Sequence, residues 1–379
     1  MTRIDLTGLA VRPAQVWGGV RLVPLVRDEP VAGLRLHREV YERGHGCFPD
    51  SVALAGGITY TSYVPHGFVA DWSRTGAEAA SYGTRLGTGR PATVPVRRLA
   101  RRRQGEPRLR FLPLHLALEG YLALHFGGPS VVWDEWSRAA VRRGLSPRAE
   151  AAYAGWEIPG LAEALRVFEI HPGQCGVLLY VADALAAAFA VPHPDDYLLL
   201  HATLVEDLFG ELVHQYAHYG APVADFTAAV ESGAVRSLAD LRRAASAQER
   251  AWARAHDGLM ARDLLETPYA FERVHDMGGF RLYRFLPPFL RSGQEQHIGE
   301  LISDRKGRTA YLKTFRLSES QIRRGHLLRR LADADWHLGR TAEALGTSYA
   351  ELVARIGRAG LGSLLNAHVV ARRARGEET

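Results

Sequence analysis

Short apolar runs broken by glycine and proline fill the first hundred residues and predict strands joined by turns. Between Val11 and Val26, the residues Val16, Trp17, Val20, Leu22, Val23, Leu25 and Val26 are punctuated by Gly18-Gly19 and Pro24, the pattern of a hairpin. Val52–Leu54 and Ile58–Val64 repeat it around Gly56-Gly57. Leu114 to Phe126 has helical spacing and stops at Gly127-Gly128-Pro129; a second helix is expected over 131–143, and Ser146-Pro147 opens a third. The clearest unit is 167–219. Val177–Val181 reads as a strand, Ala182-Asp183-Ala184 as a turn and Leu185–Val191 as a returning strand. A turn this short joins only antiparallel strands. A helix then runs from Pro194-Asp195-Asp196, whose carboxylates are expected to cap free N–H groups, to Tyr219. Its residues Leu204, Val205, Leu208, Phe209, Leu212, Val213 and Tyr216 form one wide apolar face. Beyond it the pattern predicts a helical stretch over 236–266, a strand at Phe280–Phe285, and a hairpin of Leu301–Ile302 and Ala310–Phe315 around Asp304–Gly307. From Ser318 onward only helices are expected.

The 379 residues are enough for roughly two or three domains. With 47% hydrophobic residues the chain can bury a large core. Its two cysteines, Cys47 and Cys175, are far apart and make no disulfide framework, which fits a reducing cytosol. The longest apolar stretch is interrupted by Asp183 and ends at Pro192, too short for a membrane span, and the N-terminus does not read as a signal peptide. A cytoplasmic protein with no membrane partner is therefore expected. The net charge of +6 is uneven: Arg97–Arg103 holds five arginines in seven residues. Such a run attracts phosphates, although most charge runs are solvated loops.

The C-terminal pattern is the most specific. Ser318 begins a helix with Ile322, Leu327, Leu328 and Leu331 on one side; His337–Leu345 is a short helix; Gly346 sits at a turn that wants positive φ; Ser348 caps a third helix carrying Leu352 and Ile356 inward. Ala342, Leu345-Gly346, Leu352, Arg355, Ile356 and Gly360-Leu361 stand at the spacing of the Fis-type helix-turn-helix, which this segment (about 320–365) resembles. The resemblance implies a last helix laid in the major groove, contacting DNA through Ser348, Tyr349, Arg355 and Arg358, and it implies a homodimer. Two departures stand out: Thr347 occupies a position that is usually aliphatic, and Glu351 places an acid on the reading helix. Ten arginines against six acids from Gln321 to Thr379, including Arg372, Arg373 and Arg375, keep the segment basic. A helix-turn-helix used only for packing or dimerisation is the competing reading.

Gln15-Val-Trp-Gly-Gly-Val-Arg-Leu-Val-Pro-Leu25, and Gly173-Gln-Cys-Gly-Val-Leu178 with its hairpin and helix, resemble the ARG and Rhodanese-Phosphatase-superfamily-associated domains over residues 11–219. Neither motif is a catalytic signature. The resemblance implies a setting in nucleotide, NAD or ADP-ribose processing, and no cofactor is assigned.

Several groups are candidates for chemistry. His171, Gln174 and Cys175, in and after a Pro-Gly loop, form with Asp183 a candidate rim for a nucleotide or ADP-ribose-like ligand. Cys175 is a nucleophile only if its pKa is lowered; otherwise it is a small core residue. Asp207, Glu211, His214 and His218 lie on one helical stripe, either a metal pair or a solvated face, and no metal site is assigned. The glycine-rich Gly83–Arg90 lacks the ending of a phosphate loop and reads as a linker. His37, His45, Cys47, Asp50 and His66 are scattered rather than spaced as ligands.

The expected fold is α+β: an antiparallel or mixed sheet body with covering helices (1–230), a helix and hairpin connecting region (231–317), and an all-α helix-turn-helix module with a basic tail (318–379). The leading functional expectation is a DNA-associated regulator or adaptor whose body senses a ligand or partner. An enzyme acting on ADP-ribose or a related phosphorylated small molecule, and a structural interaction protein, are the alternatives.

Overall fold

Among the described residues, nine strands hydrogen-bond into one antiparallel sheet in the computed structural model. The structure describes residues 2–35, 158–224, 227–277, 279–290 and 293–365, short strands between 52 and 111, Gly155, and Leu114, Leu118, Leu122 and His125 of one helix. Gly83–Arg90, the Arg97–Arg103 run, the set His37, His45, Cys47, Asp50 and His66, the helices expected over 131–143 and from Ser146-Pro147, and the Arg372–Arg375 tail lie outside the described residues.

The strands of the main sheet are β1 (Ala10–Val11), β2 (Gln15–Trp17), β3 (Val20–Val26), β4 (Gln174–Val181), β5 (Ala184–Ala190), β6 (Ala270–Met277), β7 (Phe280–Leu286), β8 (His297–Asp304) and β9 (Thr309–Arg316). Their order is β1-β3-β4-β5-β9-β8-β7-β6, with β2 also paired to β3. Two smaller antiparallel sheets join Val52–Ala53 to Thr59–Tyr60, and Ala92–Pro95, Ala79–Tyr82, Val69–Asp71 and Leu109–Phe111 in that order.

The boundary expected at 230/231 does not divide the sheet. β5 lies before it and β9 beyond it, yet Ala187 pairs with Phe315 and Ala190 with Leu312. Pairing joins backbone N–H and C=O groups whatever their separation along the chain, and both strands are buried over the paired residues. β6 was not foreseen either. Glu272, Arg273 and Asp276 interrupt its apolar pattern because it is the edge strand, with solvent on its free side.

Both faces of the sheet centre are covered, so β4 is buried along its whole length. On one face Cys175, Val177, Leu179 and Phe189 pack with Tyr197, Leu200, Leu204, Leu208, Phe209 and Val213. These come from α1 (Pro194–Thr203), a π-helical turn (Leu204–Leu208) and α2 (Gly210–Tyr219). On the other face Leu178, Tyr180, Leu185 and Ala188 pack with Trp252 and Leu264. Those belong to α3 (Leu238–Ala255), which runs into a second π-turn (His256–Met260), and to α4 (Arg262–Glu266).

The single helix expected after Pro194 is thus two, and the π-turn between them has a packing reason. A Cβ on Gly155 would lie 1.5 Å from the Glu206 carbonyl oxygen, so backbone meets backbone there. The shift of register also buries Asp207, so the stripe that offered either a metal pair or a solvated face is not a solvated face there. The cap differs as well: His193 Nδ1 accepts from Asp195 N at 3.1 Å, while Asp196 is buried against Arg35 at 2.8 Å.

Gly18 and Gly19 close the structure at one end. Gly18 has φ +57°, and a Cβ there would sit 2.2 Å from the Ala217 carbonyl oxygen at the end of α2. Gly19 N donates to Tyr216 O at 3.1 Å, Gly19 O accepts from Ala182 N at 2.8 Å, and Gly18 O accepts from Val223 N at 3.1 Å. One dipeptide therefore holds the β2–β3 turn, the tip of the β4–β5 hairpin and the end of α2.

The chain ends, among the described residues, in α5 (Glu319–Asp333), α6 (Leu338–Ala344), α7 (Tyr349–Arg358) and a short turn of 3-10 helix. Ser318 and Gln321 form a reciprocal capping box, His337 caps α6, and Ser348 caps α7. Leu328 and Leu331 of α5 share one apolar core with Ala342, Leu352, Ile356 and the sheet face that α1 covers. A Cβ on Gly325 would fall 2.2 Å from the Phe289 ring, so α5 is pressed directly onto the body.

Gly18→Ala is expected to cost about 2 kcal/mol or more, because it adds both positive-φ strain and a backbone clash. Urea unfolding measures this; a midpoint unchanged from that of the parent chain would contradict the closure.

Candidate functional site

The end of the sheet that Gly18-Gly19 closes also gathers polar side chains. Arg21 lies opposite Tyr180 in the β3–β4 register, one residue from the hairpin tip. Tyr180 Oη is 2.8 Å from His256 Nε2, and His256 Nδ1 is 2.8 Å from Asp257 Oδ1. Tyr180 and His256 are fully buried, while the Asp257 side chain is 54% exposed. Burial pushes the Tyr180 phenol well above its ordinary range, reinforced by Glu295 and Asp257. It therefore keeps its proton; in the tautomer whose Nδ1–H donates to the Asp257 carboxylate, Nε2 accepts from the phenol. The result is a hydrogen-bonded line from the sheet interior to a carboxylate at the surface. His256 sits in the second π-turn, a local irregularity that re-aims side chains.

Arg21 Nη2 donates to Ala224 O at 2.8 Å, and its Nη1 lies 3.5 Å from Asp183 Oδ1. On the same side of the sheet, Glu295 accepts from Leu185 N at 3.3 Å and from Arg316 Nη1 at 3.1 Å. Burial alone would raise the Glu295 carboxyl; His297 and Arg316 outweigh it and hold the group below its usual value. His297 is fully buried 3.8 Å from Glu295, and burial draws its ring below the ordinary histidine range.

The structure divides the expected rim. Asp183 joins the polar end, 85% exposed at the hairpin tip. His171, Gln174 and Cys175 lie at the opposite end of β4 and do not meet it. Gln174 is buried and fully engaged: its Oε1 accepts from His171 N at 2.8 Å, and its Nε2 donates to Gly176 O at 3.1 Å and to Tyr197 Oη at 3.2 Å. Gly173, at φ +75°, supplies the turn that this clamp closes. Cys175 is wholly buried, and burial pushes its thiol up to about 11, the reverse of an activated nucleophile. Tyr197 Oη also meets His201 Nδ1 at 2.9 Å, and burial lowers that imidazole to about 4.

The rings of His214 and His218 pack edge-on at 4.9 Å, and Trp17 meets His218 edge-on at 5.1 Å. Among the described residues no three histidine, cysteine, aspartate or glutamate side chains form a group able to hold a metal ion. In mid-sheet Glu300 pairs with Lys313 across β8–β9 and lies 3.7 Å from Arg284 Nε. Burial brings the Lys313 amine down to about 7, with Glu300 opposing.

A second surface lies on α7. Leu352 and Ile356 are fully buried beneath it, whereas Ser348, Tyr349, Arg355 and Arg358 are exposed. Arg355 Nη2 lies 2.6 Å from Glu351 Oε1, and Arg358 Nε reaches Ala354 O at 3.4 Å.

Sequence reading had singled out neither Tyr180, His256 and Asp257 nor the Arg284–Glu300–Lys313 row. A tyrosine closing an apolar run and charged residues inside otherwise apolar strands were the available signals.

The body is an antiparallel sheet covered on both faces and closed by a Trp-Gly-Gly turn. The model of the ARPP-2 family matches residues 4–278, which takes in that turn, the β4–β5 hairpin and the helices over both faces. The chain belongs to this family. No curated protein and no solved structure matches it. Among the described residues no helix is long and apolar enough to cross a membrane.

Tyr180→Phe should cost about 1–3 kcal/mol, because it strands the buried His256 Nε2 without a donor. Asp257→Asn should cost less, since water reaches that carboxylate. Equal unfolding midpoints for Tyr180→Phe and the parent would refute the relay as a structural tie.

His201 titrates lower in the folded chain than in the unfolded one, so the unfolded state takes up the extra proton. Its contribution to stability is complete above pH 6.5 and falls away as the pH drops toward 4. His201→Gln should flatten the stability profile across that window, as read by unfolding at stepped pH. A slope identical to that of the parent would count against it.

Proposed function

We propose that the chain is a DNA-associated regulator or adaptor. Its ARPP-2 body takes a nucleotide-like ligand or a partner in the setting of ADP-ribose or NAD processing, and its tail is a Fis-type helix-turn-helix. The observation that carries this reading is the outward face of α7. It is amphipathic, its apolar side is consumed by the core, and Ser348, Tyr349, Arg355 and Arg358 are left facing water. Gly346, at φ +60°, turns the chain between α6 and α7, the geometry a groove-reading helix pair requires. Tyr349, 57% exposed at the first turn of α7, adds an aromatic group that a folded core had no need to expose.

On the body, the ligand contact is assigned to the polar end of the sheet, where Asp183 and Asp257 open to solvent above Arg21, Tyr180 and His256. The family setting supports a nucleotide-like ligand as the class to test first.

The reading predicts a mobility shift on random duplex DNA at low salt that weakens steeply as salt rises. Replacing Arg355 and Arg358 together by alanine should abolish it. A full-length chain that shifts no duplex at low ionic strength would eliminate DNA binding.

A further inference from the structure

The polar atoms on the outer face of α7 form one connected unit. Glu351 Oε2 accepts from Thr347 Oγ1 at 2.7 Å, and Glu351 Oε1 accepts from Arg355 Nε at 3.2 Å and from Arg355 Nη2 at 2.6 Å. Ser348 Oγ accepts from Glu351 N at 3.2 Å, which fixes the backbone from which the carboxylate projects. The carboxylate therefore holds the Nε–Nη2 side of the guanidinium. The fork formed by Nη1 and Nη2 remains the free end, and that fork matches the O6 and N7 acceptors of guanine in the major groove. Thr347, anomalous as an aliphatic position, acquires a purpose: its hydroxyl tethers the second carboxylate oxygen.

We infer that Thr347, Glu351 and Arg355 are a preassembled guanine-reading unit, in which Arg355 contacts the base and Glu351 is the positioning residue that aims it. The inference rests on the DNA reading above and adds a base to it. An acid on the reading helix repels phosphate, so if it served only as a charge it would weaken binding to every sequence alike. Holding an arginine in one rotamer instead reduces the entropy lost on contact and favours the one base able to accept both N–H groups. Arg355 follows Glu351 by one helical turn on the same face of α7, and Thr347, just before the Ser348 cap, reaches the carboxylate from the N-terminal side.

The test uses the full chain and a library of duplexes randomised over the bound site, followed by affinities for the four single-base variants at each position. Wild type should prefer guanine at one position by roughly five- to hundredfold, the range of a bidentate contact. Arg355→Ala should erase that preference. Glu351→Ala should erase it too, while strengthening binding to non-specific duplex, since a repulsive charge is gone; loss of discrimination with gain of affinity is a signature that mere unfolding of α7 does not give. Glu351→Asp, with a shorter arm, should restore little of the preference. If Glu351→Ala strengthens binding but leaves the base preference intact, the inference is overturned while DNA binding stands. If wild type binds every sequence equally well, the inference falls likewise. If no duplex binds at low salt, the regulator reading itself fails and the inference falls with it.

Discussion

The fold depends on a place where backbone touches backbone. At Gly18-Gly19 the β2–β3 turn comes so close to the end of α2 that no side chain fits between them, and Gly19 also binds the tip of the β4–β5 hairpin. Contacts of this kind have no slack, because carbonyl and amide groups cannot rotate away as side chains can. The central strands, the helices over one face and the neighbouring polar end are fixed relative to one another by it. This gives the Trp-Gly-Gly motif a physical reason: its glycines are demanded by closure.

The polar end follows from that closure. Arg21 is carried into place by β3 and Tyr180 by β4, and each is buried by elements on the other side of the sheet. A buried phenol and imidazole are tolerable there only because each hydrogen bond leads to another until Asp257 reaches water. At the far end of β4 the same rule gives a different outcome. Gln174 commits both its N–H donors and its carbonyl oxygen to its own turn and to Tyr197, so a group that looked available for a ligand is spent on structure.

Much of the architecture was legible in the residues. The β4–β5 hairpin, the helices after it and the C-terminal caps follow from local rules of periodicity, turn length and capping, which act over a few residues. What was hidden acts over long separations. The pairing of β5 with β9 across the expected boundary leaves no local trace. The edge strand β6 carries charges that imitate a loop. The π-turn at Leu204–Leu208 lies where the helix meets another backbone, Gly155 against Glu206, and periodicity read along one segment cannot register a neighbour. The candidate site was half legible for the same reason. Asp183 drew notice as a carboxylate in a turn, but Tyr180 on the same hairpin was masked by apolar neighbours, and Arg21 and His256 come from two distant parts of the chain.

The contact of Gly325 with Phe289 has a consequence for how the two ends of the molecule work together. A tail on a slack tether would search for its target independently and tolerate many separations between two copies. Here α5 lies flush against the body, so the final helix inherits its direction from the sheet. In the proposed regulator, the spacing of two paired recognition sites would then be a rigid property of the body, and inserting half a helical turn of DNA between them would be felt as severely as the loss of one site.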